Sequence, residues 1–313
     1  MWPKIHFGRA VLFIFILLSI HKTVYSQGCS DAGFCTMGAM RPNQSFGAKN
    51  TIKLRSVELL QYAGYTHFKD LIITSLADIN LGIGKRGSAQ IKLPYTSVTG
   101  SLGKTQGMGD ISYSYTYAVV AKANYQILAT LGGKIPTNGA DKYSSDNRPL
   151  PMYYQTSLGT FDGVAGISFL TRNWLLATGF QHAFNANQNE FRWSVWNGNP
   201  LAIQYPPSWN LKRGNDVMFR IERNFRSTKW NGYLGLLTIY RINKDEISNT
   251  ETTTKLVNGS TGAAVTGLAG IGYKFSTKVA VKAMFGDKLI KRVTNPDGLS
   301  REWVATLSIE VKF

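Results

Sequence analysis

The C-terminal segment sets the tightest limit on what this chain can fold into. From Trp303 the odd positions read Trp303, Ala305, Leu307, Ile309, Val311 and Phe313, and the even ones Val304, Thr306, Ser308, Glu310 and Lys312. A period of two places these sets on opposite faces of a strand, one apolar and the other mainly polar or charged. The pattern returns upstream. Ile111, Tyr113, Tyr115, Tyr117 and Val119 alternate with Ser112, Ser114, Thr116 and Ala118, and Val265, Ala269, Ile271, Tyr273 and Phe275 stand opposite Thr266, Gly270, Gly272 and Lys274. A soluble sheet would cover its apolar face with a second layer, but scarcely a helical segment exists to form one. Small and polar residues on the second face suit the lining of a closed barrel whose outer surface meets lipid.

The alternation predicts strands over 51–62, 75–84, 88–95, 109–119, 122–134, 159–170, 173–184, 215–225, 229–242, 263–275, 278–287 and 301–313. Tight turns at 85–87, 120–121, 171–172, 226–228 and 276–277 alternate with long polar segments near 63–74, 96–108, 135–158, 185–214, 243–262 and 288–300. A soluble sandwich has no reason to alternate in this way. An all-β, transmembrane antiparallel up-and-down β-barrel of about 12 strands does, because periplasmic turns are short and extracellular loops long. The expected location is the bacterial outer membrane, with both termini periplasmic and residues 51–313 forming the barrel. Aromatics gather near the strand ends, among them Tyr95, Phe161, Trp174, Phe225, Trp230, Tyr240 and Trp303, where rings favour the bilayer interfaces. Phe313, closing an alternating strand, is the expected assembly signal, read by the barrel-assembly machinery.

The N-terminus has a basic start (Lys4, Arg9), an apolar run from Val11 to Ile20 and a Val24-Tyr25-Ser26 cleavage site, predicting a signal peptide over 1–26. Residues 27–50 are expected to plug the lumen or lie at its periplasmic mouth. Cys29 and Cys35 leave two fates open. An exported chain favours a disulfide. The rival is lipid modification of Cys29, against which stand Lys22 in the apolar run and the lack of a large aliphatic residue three places before the cysteine. The formal charge of +17 would suit a nucleic-acid partner, but the basic residues are scattered through strand-like segments and no nucleic-acid-binding motif is present. Catalytic patterns fail too. Ser101-Leu102-Gly103-Lys104-Thr105 ends like a phosphate loop but has Val98 where the first glycine belongs, and no Gly-x-Ser-x-Gly occurs. His67 with Asp70, and His182 alone, are the only bases a rim site could use, and they are too few and too far apart for a metal. The reading is of a non-enzyme without cofactor or metal.

Alternation also selects the lumen. Asp110 follows a glycine and precedes outward Ile111, and Asp162 lies between Phe161 and Gly163, so both are expected to point inward. A buried carboxylate at Asp162 needs a basic partner such as Lys134, Arg220 or Lys274. With Glu222 these are the lumen or ligand-contact candidates. Asp78, Asn80, Lys92, Ser114, Gln126, Lys282, Glu310 and Lys312 complete the expected interior. Mixed charge suits a narrow or plugged passage better than a wide water pore.

Leu93-Pro94-Tyr95, a polar connection, Gly107-Met108-Gly109-Asp110 before the tyrosine strand, and Gly159-Thr160-Phe161-Asp162-Gly163 together resemble the outer-membrane family named for the meta-pathway of phenol degradation. That family is distantly similar to long-chain fatty acid transporters. The chain departs from it at Lys85-Arg86-Gly87, which lacks an aromatic, and in the Trp-rich segment 185–214. The resemblance implies passive uptake of a small hydrophobic or aromatic solute, with outer-membrane lipid as surroundings. Two alternatives remain: a structural or ligand-binding surface barrel acting through its extracellular loops, and a barrel-embedded lipid-modifying enzyme.

Overall fold

The computed structural model describes residues 52–313; the expected signal peptide, the segment 27–50 and the Cys29/Cys35 pair lie outside the described residues. Fifteen strands follow: β1 (Ile52–Tyr65), β2 (Leu71–Ile83), β3 (Gly87–Gly100), β4 (Gly103–Met108), β5 (Ile111–Ala121), β6 (Tyr125–Ile135), β7 (Asp162–Thr171), β8 (Trp174–Ala183), β9 (Asp216–Arg226), β10 (Trp230–Arg241), β11 (Glu246–Ser248), β12 (Thr254–Leu256), β13 (Gly262–Lys274), β14 (Val279–Ile290) and β15 (Trp303–Lys312). Each of the twelve long staves pairs antiparallel with its chain neighbour. β15 pairs back onto β1 from Tyr65 opposite Trp303 to Ser56 opposite Lys312, so the sheet closes on itself. Closure satisfies every wall strand's backbone internally, which a hydrocarbon environment demands.

The facing follows the two-residue period. On β5, Tyr113, Tyr115 and Tyr117 are 47%, 42% and 44% exposed, while Ser112, Ser114 and Thr116 are buried. Phe219 and Ile221 of β9 face out, and Arg220 and Glu222 face in. The exposed rings of Phe161, Trp174, Phe225, Trp230 and Tyr240 lie near strand ends, whereas Tyr95 is inside β3, which continues to Gly100.

The structure corrects three sequence expectations. The connection expected over 63–74 shrinks to 66–70, because β1 and β2 pair to Tyr65 opposite Leu71. The segment 96–108 is no open loop: β3 runs on to Gly100 and β4 folds back along it, extending the wall as a hairpin beyond the β3–β5 pairing. Residues 243–262 carry their own small hairpin, β11 with β12. A further correction concerns charge, part of which is gathered and not diffuse. The turns 84–86, 122–124, 172–173, 227–229 and 275–278 carry Lys85, Arg86, Lys122, Arg172, Lys229 and Lys278 and no Asp or Glu. All six basic residues are exposed at one end of the barrel, called the turn end here; the other is the loop end.

Candidate functional site

Inside the barrel the wall has two characters. Along β1, β2, β3, β14 and β15 it is charged. Glu58 stands directly across from Asp78 on one side and Glu310 on the other, three like charges on adjacent strands. Lys282 bridges Glu58 at 2.9 Å and Glu310 at 3.0 Å, Ser308 donates to Glu58, and Asp78 is answered by Lys92 at 3.6 Å and the amides of Asn80 and Gln90. Buried charges persist only when paired and hydrogen-bonded in this way. Along β7, β8, β9, β10 and β13 the inward positions include Val164, Leu175, Ala177, Met218, Leu237 and Leu268, which pack together as an apolar cluster. Arg220 with Glu222, paired on the same face of β9, is level with members of that cluster: Ala177 and Leu237 stand opposite Arg220, and Leu175 opposite Glu222.

At the loop end, chain folds inward and packs on the inner face of the strands. Phe68, Tyr153, Tyr154, Phe191, Trp196 and Tyr205 form an aromatic core there with Tyr62, Ile72, Val98 and Val304 of the strands. Its polar anchor is Asp70: the hydroxyls of Tyr154 and Tyr205 donate to Oδ1 at 2.7 and 2.8 Å, and Thr66 Oγ1 donates to Oδ2 at 3.0 Å. Burial first, then the Asp70 carboxylate, pushes the Tyr154 phenol up to about 12, so it remains a donor. A second anchor is Arg241, fully buried and within 2.9 Å of Asp216, Asp245 and Asp297. Arg292 adds contacts of 3.7 Å to Asp216 and Asp297. Against the cost of burial, Arg241 and Arg292 hold the Asp297 carboxyl well below the usual range.

The candidate residues from the sequence divide between these regions. Asp162 and Lys134 are register partners on β7 and β6, 3.1 Å apart, and Arg213 and Gln181 also bind Asp162. Asp110 is taken up by the segment 136–161: Ser157 Oγ donates to it, as does the Leu158 amide at 3.1 Å. Lys274 is a correction. It ends β13 at the turn-end rim, exposed and away from Asp162, because its strand runs out of the wall there; exposed Lys312 ends β15 likewise. Phe313 is exposed, its amide donating to the Arg55 carbonyl at 3.0 Å. The glycine motifs have backbone reasons. Gly159 has φ of 70° and a Cβ there would meet the Gly139 carbonyl, while a Cβ on Gly109 would press against Pro94 and the Thr156 carbonyl.

Sequence reasoning missed Arg213, Arg241, Asp245, Arg292 and Asp297. Arg241 and Asp216 were legible in principle, since a hairpin turning at 227–229 sets them opposite each other; the others arrive on loops whose path no periodicity encodes. The two described histidines form no catalytic pair. The Asp70 carboxylate is engaged by hydroxyls, not by His67, and the Nδ1 of His182 meets Asn215 Oδ1 at 2.6 Å with no serine bonded to it. Among the described residues no His, Cys, Asp and Glu converge as a metal site would require.

Closed pairing, an apolar outer face and interfacial rings define the class: a closed 12-stranded transmembrane β-barrel of the outer-membrane type. No family description and no curated protein matches the chain. Among solved structures it is similar to the COG4313 outer membrane channel from Pseudomonas putida F1, with a TM-score of 0.57 at 12% identity over 87% of this chain and 99% of that one. The KdgM porin (TM-score 0.44, 8% identity, 82% of this chain and 99% of that one) and the NanC porin (0.45, 9%, 83% and 99%) are more remote. At such identities the likeness is one of fold.

Proposed function

We propose that this barrel is a passive outer-membrane channel for the uptake of a small hydrophobic or aromatic solute, with the turn end in the periplasm. The two-sided lumen carries the reading. A water-filled pore for polar solutes gains nothing from the Val164, Leu175, Met218 and Leu237 cluster, which is packed and buried and excludes water from that side of the lumen, so that a solute with an apolar body loses less by passing beside it. Continuous pairing of the described wall strands directs the route along the lumen instead of sideways through the wall. The similar fold of a protein described as an outer membrane channel supports the same class.

Reconstitution into liposomes tests this. Benzyl alcohol and benzoate should cross faster than glucose in proteoliposomes relative to empty vesicles. Equal acceleration of all three, or none, would overturn the reading; none together with lipid turnover would establish the enzyme, and none without it the surface barrel.

A further inference from the structure

Between the charged wall and the loop cap lies a cavity of about 110 Å³. One benzene is held by an apolar cavity of roughly 150 Å³, so this smaller space suits a short apolar body, and a ring would extend from it into the adjoining lumen. Ile72, Leu76, Pro94, Leu158 and Leu299 supply apolar lining. Three cations also border it, and two are accounted for: Lys92 by Asp78, and Lys134 by Asp162. Of the two carboxylates on the wall, Asp297 is held by Arg241 and Arg292, and Asp110 accepts from Ser157 and Leu158.

The third cation is Arg301, in the connection that leads into β15. It is 7% exposed and has no carboxylate within ion-pair distance among the described residues. Nη1 donates to the carbonyls of Gly298 and Ser300 at 2.6 and 3.0 Å, but Nε has no partner. Its neighbour Tyr62, 5% exposed on β1, has a buried hydroxyl that lies beside the Arg301 guanidinium and can accept from it, while its own proton has no acceptor. A buried, unsatisfied guanidinium N–H and a phenol on the same cavity are each costly, and together they are donors awaiting an acceptor. A carboxylate fits both: its oxygens accept from guanidinium and phenol in charge-assisted bonds.

We propose that Arg301 and Tyr62 form a carboxylate-binding site in the lumen, and that its ligand is a small monocarboxylate with an apolar body. The inference rests on the uptake reading and specifies it. The carboxylate lies against the two donors, and the ring or short chain lies against Ile72, Leu76 and Pro94.

Calorimetric titration of the detergent-solubilised, assembled protein with sodium benzoate, and with benzamide as neutral counterpart, tests the site. Benzoate should bind saturably and benzamide at least tenfold more weakly; Arg301→Gln should weaken benzoate by roughly tenfold or more, as loss of a charge-assisted bond does. Arg301→Lys should keep part of that affinity, and Tyr62→Phe should lose several-fold without the charge changing. Equal binding of benzoate and benzamide, or unchanged benzoate affinity in Arg301→Gln, would overturn the proposal and leave Arg301 only the role of holding the 298–300 turn. If Arg301→Gln fails to assemble, shown by gel mobility with and without heating, unchanged affinity in Tyr62→Phe overturns it instead. Binding without flux would remove the uptake reading and leave the site, while flux with no effect of Arg301→Gln on benzoate would do the reverse.

Discussion

At the turn end the staves are joined by two to four residues, each turn carrying exposed Lys or Arg with no carboxylate beside it. At the loop end the connections 136–161, 184–215, 242–261 and 291–302 are long, fold inward, and help bury carboxylates against arginines, as at Asp162, Asp216, Asp245 and Asp297. The difference shows how one barrel solves two problems. A turn facing water and headgroups can leave its charges solvated, where each contributes little. A loop drawn over the lumen loses that hydration, so its charges must find partners within the protein. The loop end therefore resembles a soluble core set on a membrane wall, and its stability should depend on few residues.

Arg241 offers the hardest test of that contrast. Arg241→Met leaves Asp216, Asp245 and Asp297 with weaker cationic contacts, Arg292 at 3.7 Å from two of them and Arg213 near Asp297. Stranding buried partners in this way costs about 3–5 kcal/mol. Hydrogen exchange should show lost protection in 184–215, 242–261 and 291–302 while β5–β8 keep theirs; a uniform loss would mean that the two ends are not independent.

The wall itself comes next. Ile221, at the middle of β9, points to lipid, and Ile221→Arg should cost about 2–4 kcal/mol in denaturant titrations from lipid. Arg220, one residue away, is bound to Glu222 inside. Arg220→Ser alone strands that carboxylate, so the double change to serine at 220 and 222 is the cleaner comparison and should cost less than Ile221→Arg. The reverse order would mean that β9 faces the other way.

These facings are the part of the structure that sequence carries most fully. A period of two needs no tertiary information, which is why every wall stave and the inward Asp162, Lys134, Arg220 and Glu222 could be read from residue order. Lys134 and Asp162 even become partners through register alone. The loop cap was not legible, because Tyr154, Tyr205 and Asp70 meet across separations of up to 135 residues with no repeating pattern to announce them. The ring of turn cations was hidden for a different reason. The residues are far apart in sequence, and only the up-and-down order gathers them at one end.

His67 lies in the 66–70 connection, with its ring near Phe68 and Tyr153. Although the residue keeps an exposed surface, partial desolvation of its ring, with Lys288 as the next contributor, lowers its pKa from 6.5 to about 4. The unfolded or undocked loop thus binds a proton that the docked loop refuses, so stability of the docked state rises with pH across this window. It should be complete above pH 6.5 and fall progressively toward pH 4, seen as faster exchange at 66–70. His67→Gln should flatten this component, and an unchanged slope would separate the loop's acid response from His67.

The smallest effect belongs to the turn end. Arg172 is exposed in the β7–β8 turn, and Arg172→Ser should change stability by no more than about 0.5 kcal/mol, in sharp contrast with Arg241→Met. The charges still act together. A rim of one sign raises the local concentration of anions at the mouth, and salt removes the effect because the screening length is only about 10 Å at 0.1 M. Changing Lys122, Arg172 and Lys278 to serine should therefore slow benzoate flux in low salt, leave benzyl alcohol flux unchanged, and lose its effect in 0.5 M salt. A deficit that persists at high salt would place the role of these residues in folding or direct contact, and the turn end would then be as specifically built as the loop end.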